Sequence, residues 1–191
     1  MDAGIAAMQT SWVNTVDDML GEKIAVGDSD FYVSDPATGK RRIRSAETNL
    51  GDFVADGIYT YFNEVEKLHC DVAIMNGGGI RASIAAGDIT KKDINTVLPF
   101  GNTLSIVKVT GAELLEALEA ATFCTPAPLG GFPQTAGMKL TVDCTKDYDK
   151  NDTTYPGSTY YGPKSINRVT IESINGKPFD KDATYAVITN D

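Results

Sequence analysis

The run Val72-Ala73-Ile74-Met75 constrains this chain more than any other segment. Four apolar residues with no polar alternation read as a strand buried on both faces, so the sheet that holds it lies between other layers. The run leads directly into Asn76-Gly77-Gly78-Gly79-Ile80-Arg81. Two readings of that glycine triplet are open. In one, the backbone comes close to a ligand and successive N–H groups face an anion, with Arg81 offering a planar fork to phosphate or carboxylate. In the other, the triplet is a tight turn with glycines at positive φ, and Arg81 is a surface residue.

The flanking segments read as helices and strands in turn. Ile5, Met8, Trp12, Val16 and Met19 stand at helical spacing and predict an amphipathic helix over 5–20, closed by Gly21. Ile24-Ala25-Val26 and Phe31-Tyr32-Val33 read as short extended pieces before a turn-rich break at 34–39. Leu50, Phe53, Val54, Gly57, Ile58 and Tyr61 make one stripe of a second helix, capped by Ser45 or Thr48. A third, short helix starts at Thr90 and stops at Pro99. Strand 104–109 precedes a helix that begins with the capping box Thr110…Glu113 and buries Leu114, Leu115, Leu118 and Ala121. Residues 125–137 read as a Pro/Gly loop, 138–142 as a strand and 145–164 as a long surface loop. Strands over 169–171 and 185–188 flank the turn signal Asn175-Gly176. This order predicts an α+β fold, a mixed β-sheet packed with helices.

Charge and composition narrow the function. In 191 residues, 17 Lys and Arg face 26 Asp and Glu for a net charge of −9, which argues against an electrostatic nucleic-acid binder. The densest basic group is Lys40-Arg41-Arg42-Ile43-Arg44, so phosphate recognition would fall to a few placed cations. No stretch reaches the roughly 18 apolar residues of a membrane span. The single histidine, His69, reads as a polar residue in a helix-to-strand turn, and one histidine does not make the ligand set of a di-metal hydrolase. Cys70 reads as a core residue, while Cys124 and Cys144 are able to pair only in an oxidising compartment. The opening Met1-Asp2-Ala3-Gly4 has no signal-peptide pattern.

Other residues carry weaker signals. Arg44 precedes a capped helix start, which aims a guanidinium and a helix N-terminus at one spot; the alternative is an exposed loop arginine. Phe100, between Pro99 and Gly101, is either a stacking platform for a base or a plug in the core. Asn102 bonds a base edge or closes a turn, and Gly131 belongs to a second close-approach loop or a plain turn.

Taken in order, Arg44-Ser45-Ala46-Glu47-Thr48-Asn49 with Leu50-Gly51-Asp52, Asn76-Gly77-Gly78-Gly79-Ile80-Arg81, Gly87-Asp88-Ile89-Thr90 and Leu98-Pro99-Phe100-Gly101-Asn102 resemble the C-terminal domain of the 5′-nucleotidase family. The resemblance runs over about residues 40–191. It implies that Arg44 and Arg81 hold substrate phosphates. Asn76 and Asn102 would contact base or ribose, Phe100 would form one face of an aromatic clamp, and Gly78, Gly79 and Gly131 would line the same substrate site. It further implies that residues 1–33 are a linker helix and strand to an N-terminal metallophosphoesterase domain, and that 34–191 are the substrate-binding domain, clipped before the family's second stacking Phe and ribose-binding Asp.

The resemblance places two divalent metal ions on that other domain, none in this chain, and makes the chain inactive alone. A secreted, periplasmic or cell-surface location follows from it. Its other outcomes are a UDP-sugar hydrolase, a cyclic-nucleotide phosphodiesterase, an enzyme acting on thiosulfate-derived groups, or a non-enzymatic surface module.

Overall fold

The computed structural model describes residues 2–151 and 162–191. Among these the helices are α1 (Ala3–Leu20), α2 (Asn49–Thr60), α3 (Lys91–Val97) and α4 (Gly111–Ala121), and a single π-helical turn, Tyr61–Val65, extends α2. The strands are β1 (Lys23–Gly27), β2 (Val72–Asn76), β3 (Gly87–Thr90), β4 (Leu104–Thr110), β5 (Pro133–Ala136), β6 (Met138–Val142), β7 (Val169–Ile174), β8 (Lys177–Pro178) and β9 (Thr184–Asn190). They form a mixed sheet in the order β4-β9-β2-β5, an antiparallel sheet β6-β7-β8 and a ribbon β1-β3.

The apolar run at 72–75 acts as its composition requires. β2 lies inside the mixed sheet, parallel to β9 and antiparallel to β5. Val72 joins a core with Leu114, Leu118, Val169, Ile171 and Val187, between the mixed sheet, α4 and the β6-β7-β8 sheet. Ala73 points the other way, into a cluster with Ala55 of α2, Cys70, Ala136 and Ile188. Val187 and Ile188 of β9 divide between the same two layers, so both strands are covered on both faces.

The local signals set the helix ends. Thr48, not Ser45, caps α2, its Oγ1 accepting from Gly51 N at 3.1 Å. Thr90 and Thr110 each form a reciprocal capping box, with Asp93 and Glu113. The apolar stripe of α1 meets a different end: none of its residues is buried, and Trp12 is 65% exposed. β1 nonetheless ties this region to the rest by pairing with β3 from Lys23↔Thr90 to Gly27↔Gly87.

Several readings need correction. The Pro/Gly segment 125–137 contains β5, which Pro133 opens as an edge strand, where a missing N–H costs no ladder bond. Residues 31–33 form no strand; Phe31 makes an isolated bridge to Ile84. The motif segment 87–90 is itself a strand, β3. Asn175-Gly176 turns β7 into β8, with φ of 51° and 71°, while β9 leaves for the other sheet. Of the loop at 145–164, residues 152–161 lie outside the described residues. Cys70 is buried; Cys124 and Cys144 are free thiols.

Candidate functional site

The site starts from a buried glutamine. Gln134 of β5, 1% exposed, donates from Nε2 to the carbonyls of Ile43 (3.0 Å) and Ala46 (2.9 Å) and accepts from Thr48 N at 3.3 Å. These bonds staple residues 43–48 to the sheet and fix where Arg44 leaves the chain. The Arg44 carbonyl also accepts from Leu129 N at 2.8 Å.

The glycine triplet packs against this segment and against residues 129–132. Gly77 N donates to Phe132 O (2.8 Å), Gly78 N to Gly130 O (2.8 Å) and Gly79 N to Asn76 O (2.9 Å). All three N–H groups are thus spent on carbonyls within the chain, which corrects the reading of an N–H cradle for an anion. The positive-φ turn is corrected too, since no glycine of the triplet lies at positive φ. What the glycines provide is room. A Cβ on Gly77 would stand 1.9 Å from Ile43 O, and one on Gly78 would stand 2.7 Å from Gly130 O.

Three guanidinium groups gather around this junction. Arg81 donates to Gly78 O at 3.1 Å, and Arg41 donates from Nη2 to Ile80 O at 2.7 Å. Burial, and then the charges of Arg44 and Arg81, hold the Arg41 guanidinium below its ordinary pKa. Among the described residues none of the three is in an ion pair; Arg42, by contrast, faces Asp35 at 3.9 Å. The Nε atoms of Arg41 and Arg44 are buried without partners. Three cations that repel one another with no counter-ion are relieved by an anion, and a phosphate accepts several N–H donors at once.

Next to these cations lies the aromatic ring. Phe100 is 62% exposed and is therefore no core plug. The Arg81 guanidinium carbon sits 5.7 Å from its ring centroid. Gly101, at φ 62°, lets the chain turn sharply beside it. Phe100, Asn102, Gly79, Met75 and Asn190 line a cavity of about 200 Å³. Asn76 donates to Gly130 O (3.3 Å) and accepts from Asn190 (3.1 Å), and Asn102 donates to Asp191 O (2.8 Å), so both amides also brace the backbone.

The fold therefore brings Arg44, Asn76, Gly78, Gly79, Arg81, Phe100 and Asn102 to one region. Gly131 lies in the 129–132 segment against which the triplet packs, and it also lines an apolar groove with Ile74, Leu114, Leu118 and Val187. Sequence reading missed Arg41 and Gln134. The basic run 40–44 contained the signal for Arg41; nothing local marked Gln134.

A larger cavity, about 380 Å³, lies where Glu47, Asp52, Lys139 and Met138 meet. Burial pushes the Asp52 carboxyl up to about 6, with Glu47 and Asp56 adding repulsion, so this cavity is a poor place for phosphate. Among the described residues no group of three or more His, Cys, Asp or Glu side chains is placed to hold a metal ion. His69 is exposed, its Nε2 3.0 Å from Asp71 Oδ1.

Comparison with known proteins bears on the family and the fold. The chain is 37% identical over 180 residues to the trifunctional nucleotide phosphoesterase protein YfkN of Bacillus subtilis, covering 93% of this chain and 11% of that protein. It is 28% identical to the cell wall protein Lmo0130 of Listeria monocytogenes, covering 100% of this chain and 23% of that protein. The crystal structure of a 5′-nucleotidase precursor from Thermus thermophilus superposes with a TM-score of 0.72 at 30% identity, over 97% of this chain and 32% of that one. The chain thus spans a minor part of the proteins it resembles. The family described as 5′-nucleotidase, C-terminal domain matches residues 25–191, and with the ordered motifs and the shared fold this chain belongs to that family.

Proposed function

We propose that this domain holds the nucleotide substrate of a secreted or cell-surface 5′-nucleotidase. Arg81 and Arg44, with Arg41 behind them, take the phosphate charge, and Phe100 stacks on the base. The single observation that carries this reading is the set of three guanidinium groups, without an ion pair among the described residues, beside an exposed phenyl ring. An N-terminal metallophosphoesterase domain of the same polypeptide supplies two divalent metals and the hydrolysis of the phosphate ester. The loop segments described here bind and orient, and rotation between the two domains brings the phosphate to the metals. The name of the cell wall relative supports a location outside the cytoplasm.

Titrating AMP into the chain while following its aromatic ring resonances tests the reading. A stacked base is worth about 1–3 kcal/mol, so Phe100→Ala weakens binding by about one to two decades, and Arg44→Gln weakens it as well. Undiminished affinity in both variants sinks the assignment. The isolated chain releases no phosphate from AMP with added divalent metal; measurable turnover would overturn the division of labour between the domains.

A further inference from the structure

Residues 122–132 form a strap across the site, and its far end is fastened by a pair of buried charges that the substrate reading does not use. Glu119 of α4 is 0% exposed and Arg168, just before β7, is 3% exposed, yet they form no ion pair with each other. Each meets backbone groups instead, the Arg168 guanidinium through its two terminal nitrogens only, its Nε being buried without a partner. The Glu119 carboxylate accepts from Asn167 N (3.2 Å), Arg168 N (3.0 Å) and Val169 N (2.8 Å). The Arg168 guanidinium donates to Thr122 O (2.6 Å), Phe123 O (2.8 Å) and Thr125 O.

Thr122 is the C-cap of α4, and Phe123 and Thr125 lie beyond it, so these are among the first carbonyls of the loop that leaves the helix. Burying two ions is costly unless their donors and acceptors are matched; here the carboxylate and both terminal guanidinium nitrogens are matched to backbone, and the Nε is not. The planar fork of arginine ties three positions of the loop, 122, 123 and 125, to the residue that leads into β7. Four residues beyond Thr125 the strap reaches the site. Leu129 N holds the Arg44 carbonyl, Gly130 O holds Gly78 N and Asn76 Nδ2, and Phe132 O holds Gly77 N.

We propose that Arg168, held by Glu119, is a positioning residue that fixes the strap and through it the placement of Arg44 and the glycine triplet. The ligand half of this inference rests on the nucleotide reading; the mechanical half does not.

Native-state hydrogen exchange of the whole chain tests it. In the unaltered protein the amides of Leu129, Gly78 and Val169 open as one unit, with the same dependence on denaturant. In Arg168→Lys, which keeps the charge but loses the fork, Leu129 and Gly78 exchange about tenfold faster or more while amides at the centre of β9 keep their protection. Glu119→Gln, which presents an N–H₂ to backbone donors, does the same and serves if the lysine variant does not fold. AMP affinity falls in either variant in parallel with the loss of protection. Protection of Leu129 and Gly78 unchanged in a folded variant overturns the proposal, as does opening of these amides independently of Val169 in the unaltered protein. Failure of the unaltered chain to bind AMP would instead sink the nucleotide reading and leave the exchange result to decide the strap.

Discussion

The same chemical change, one added methyl group, has opposite effects at two glycines of this chain. At Gly77 an alanine Cβ would lie 1.9 Å from the Ile43 carbonyl oxygen and 3.3 Å from the Phe132 carbonyl oxygen, where ordinary contact begins at 3.4 Å. Both obstacles are backbone, so no side chain can swing aside. Residues 43–44 have to retreat, and the Gly77 N to Phe132 O bond of 2.8 Å is stretched with them. Forced overpacking costs about 1–3 kcal/mol and the hydrogen bond about 1 kcal/mol. Gly77→Ala therefore loses about 2–4 kcal/mol, or about 5–15 °C in Tm for a chain of this size. Gly57 lies inside α2, exposed, with nothing within 4 Å of an added Cβ, so Gly57→Ala gains about 0.5–1 kcal/mol of helix stability. Urea unfolding followed by far-UV circular dichroism measures both, with the m-value held constant as the check on two-state behaviour. A Gly77→Ala protein within about 0.5 kcal/mol of the parent would refute the close-approach account of the triplet, and a destabilised Gly57→Ala would refute the reading of Gly57 as an open helix position.

Other outcomes follow from the same structure. Because burial raises the folded-state pKa of Asp52 from 3.8 to about 6, its contribution to stability is present at low pH and is lost as pH rises through that interval; urea midpoints between pH 4 and pH 7 fall in the parent and flatten in Asp52→Asn. Thr110→Ala removes the cap that accepts from Glu113 N and costs about 1 kcal/mol in the same assay. Arg41→Gln relieves the repulsion from Arg44 and Arg81 but weakens AMP binding about tenfold, the low end for a charged hydrogen bond, as read by calorimetry.

Much of this fold is legible along the chain because its signals are local. Thr90 and Thr110 announce α3 and α4 through side chains only three residues away, and Asn175-Gly176 announces a hairpin through its own backbone. The run at 72–75 announces a strand with two covered faces. β5 escapes notice because its pairing with β2, not its own residues, makes it a strand: Pro133, Gln134 and Thr135 carry no alternating pattern. Gln134 escapes for a related reason, since its three partners lie 86 to 91 residues earlier.

Sequence alone singled out Arg44, Arg81 and Phe100 as candidates for phosphate and base, and it determined the helix starts that precede and follow them. Tertiary structure decided the rest: that Arg41 joins the cations, that Gly131 also borders an apolar groove, and that the triplet's N–H groups serve the chain itself. The physical reason is range. Caps and turns are settled among neighbours within a few bonds, whereas the crowding of like charges and the satisfaction of a buried N–H depend on which distant segments are folded against them.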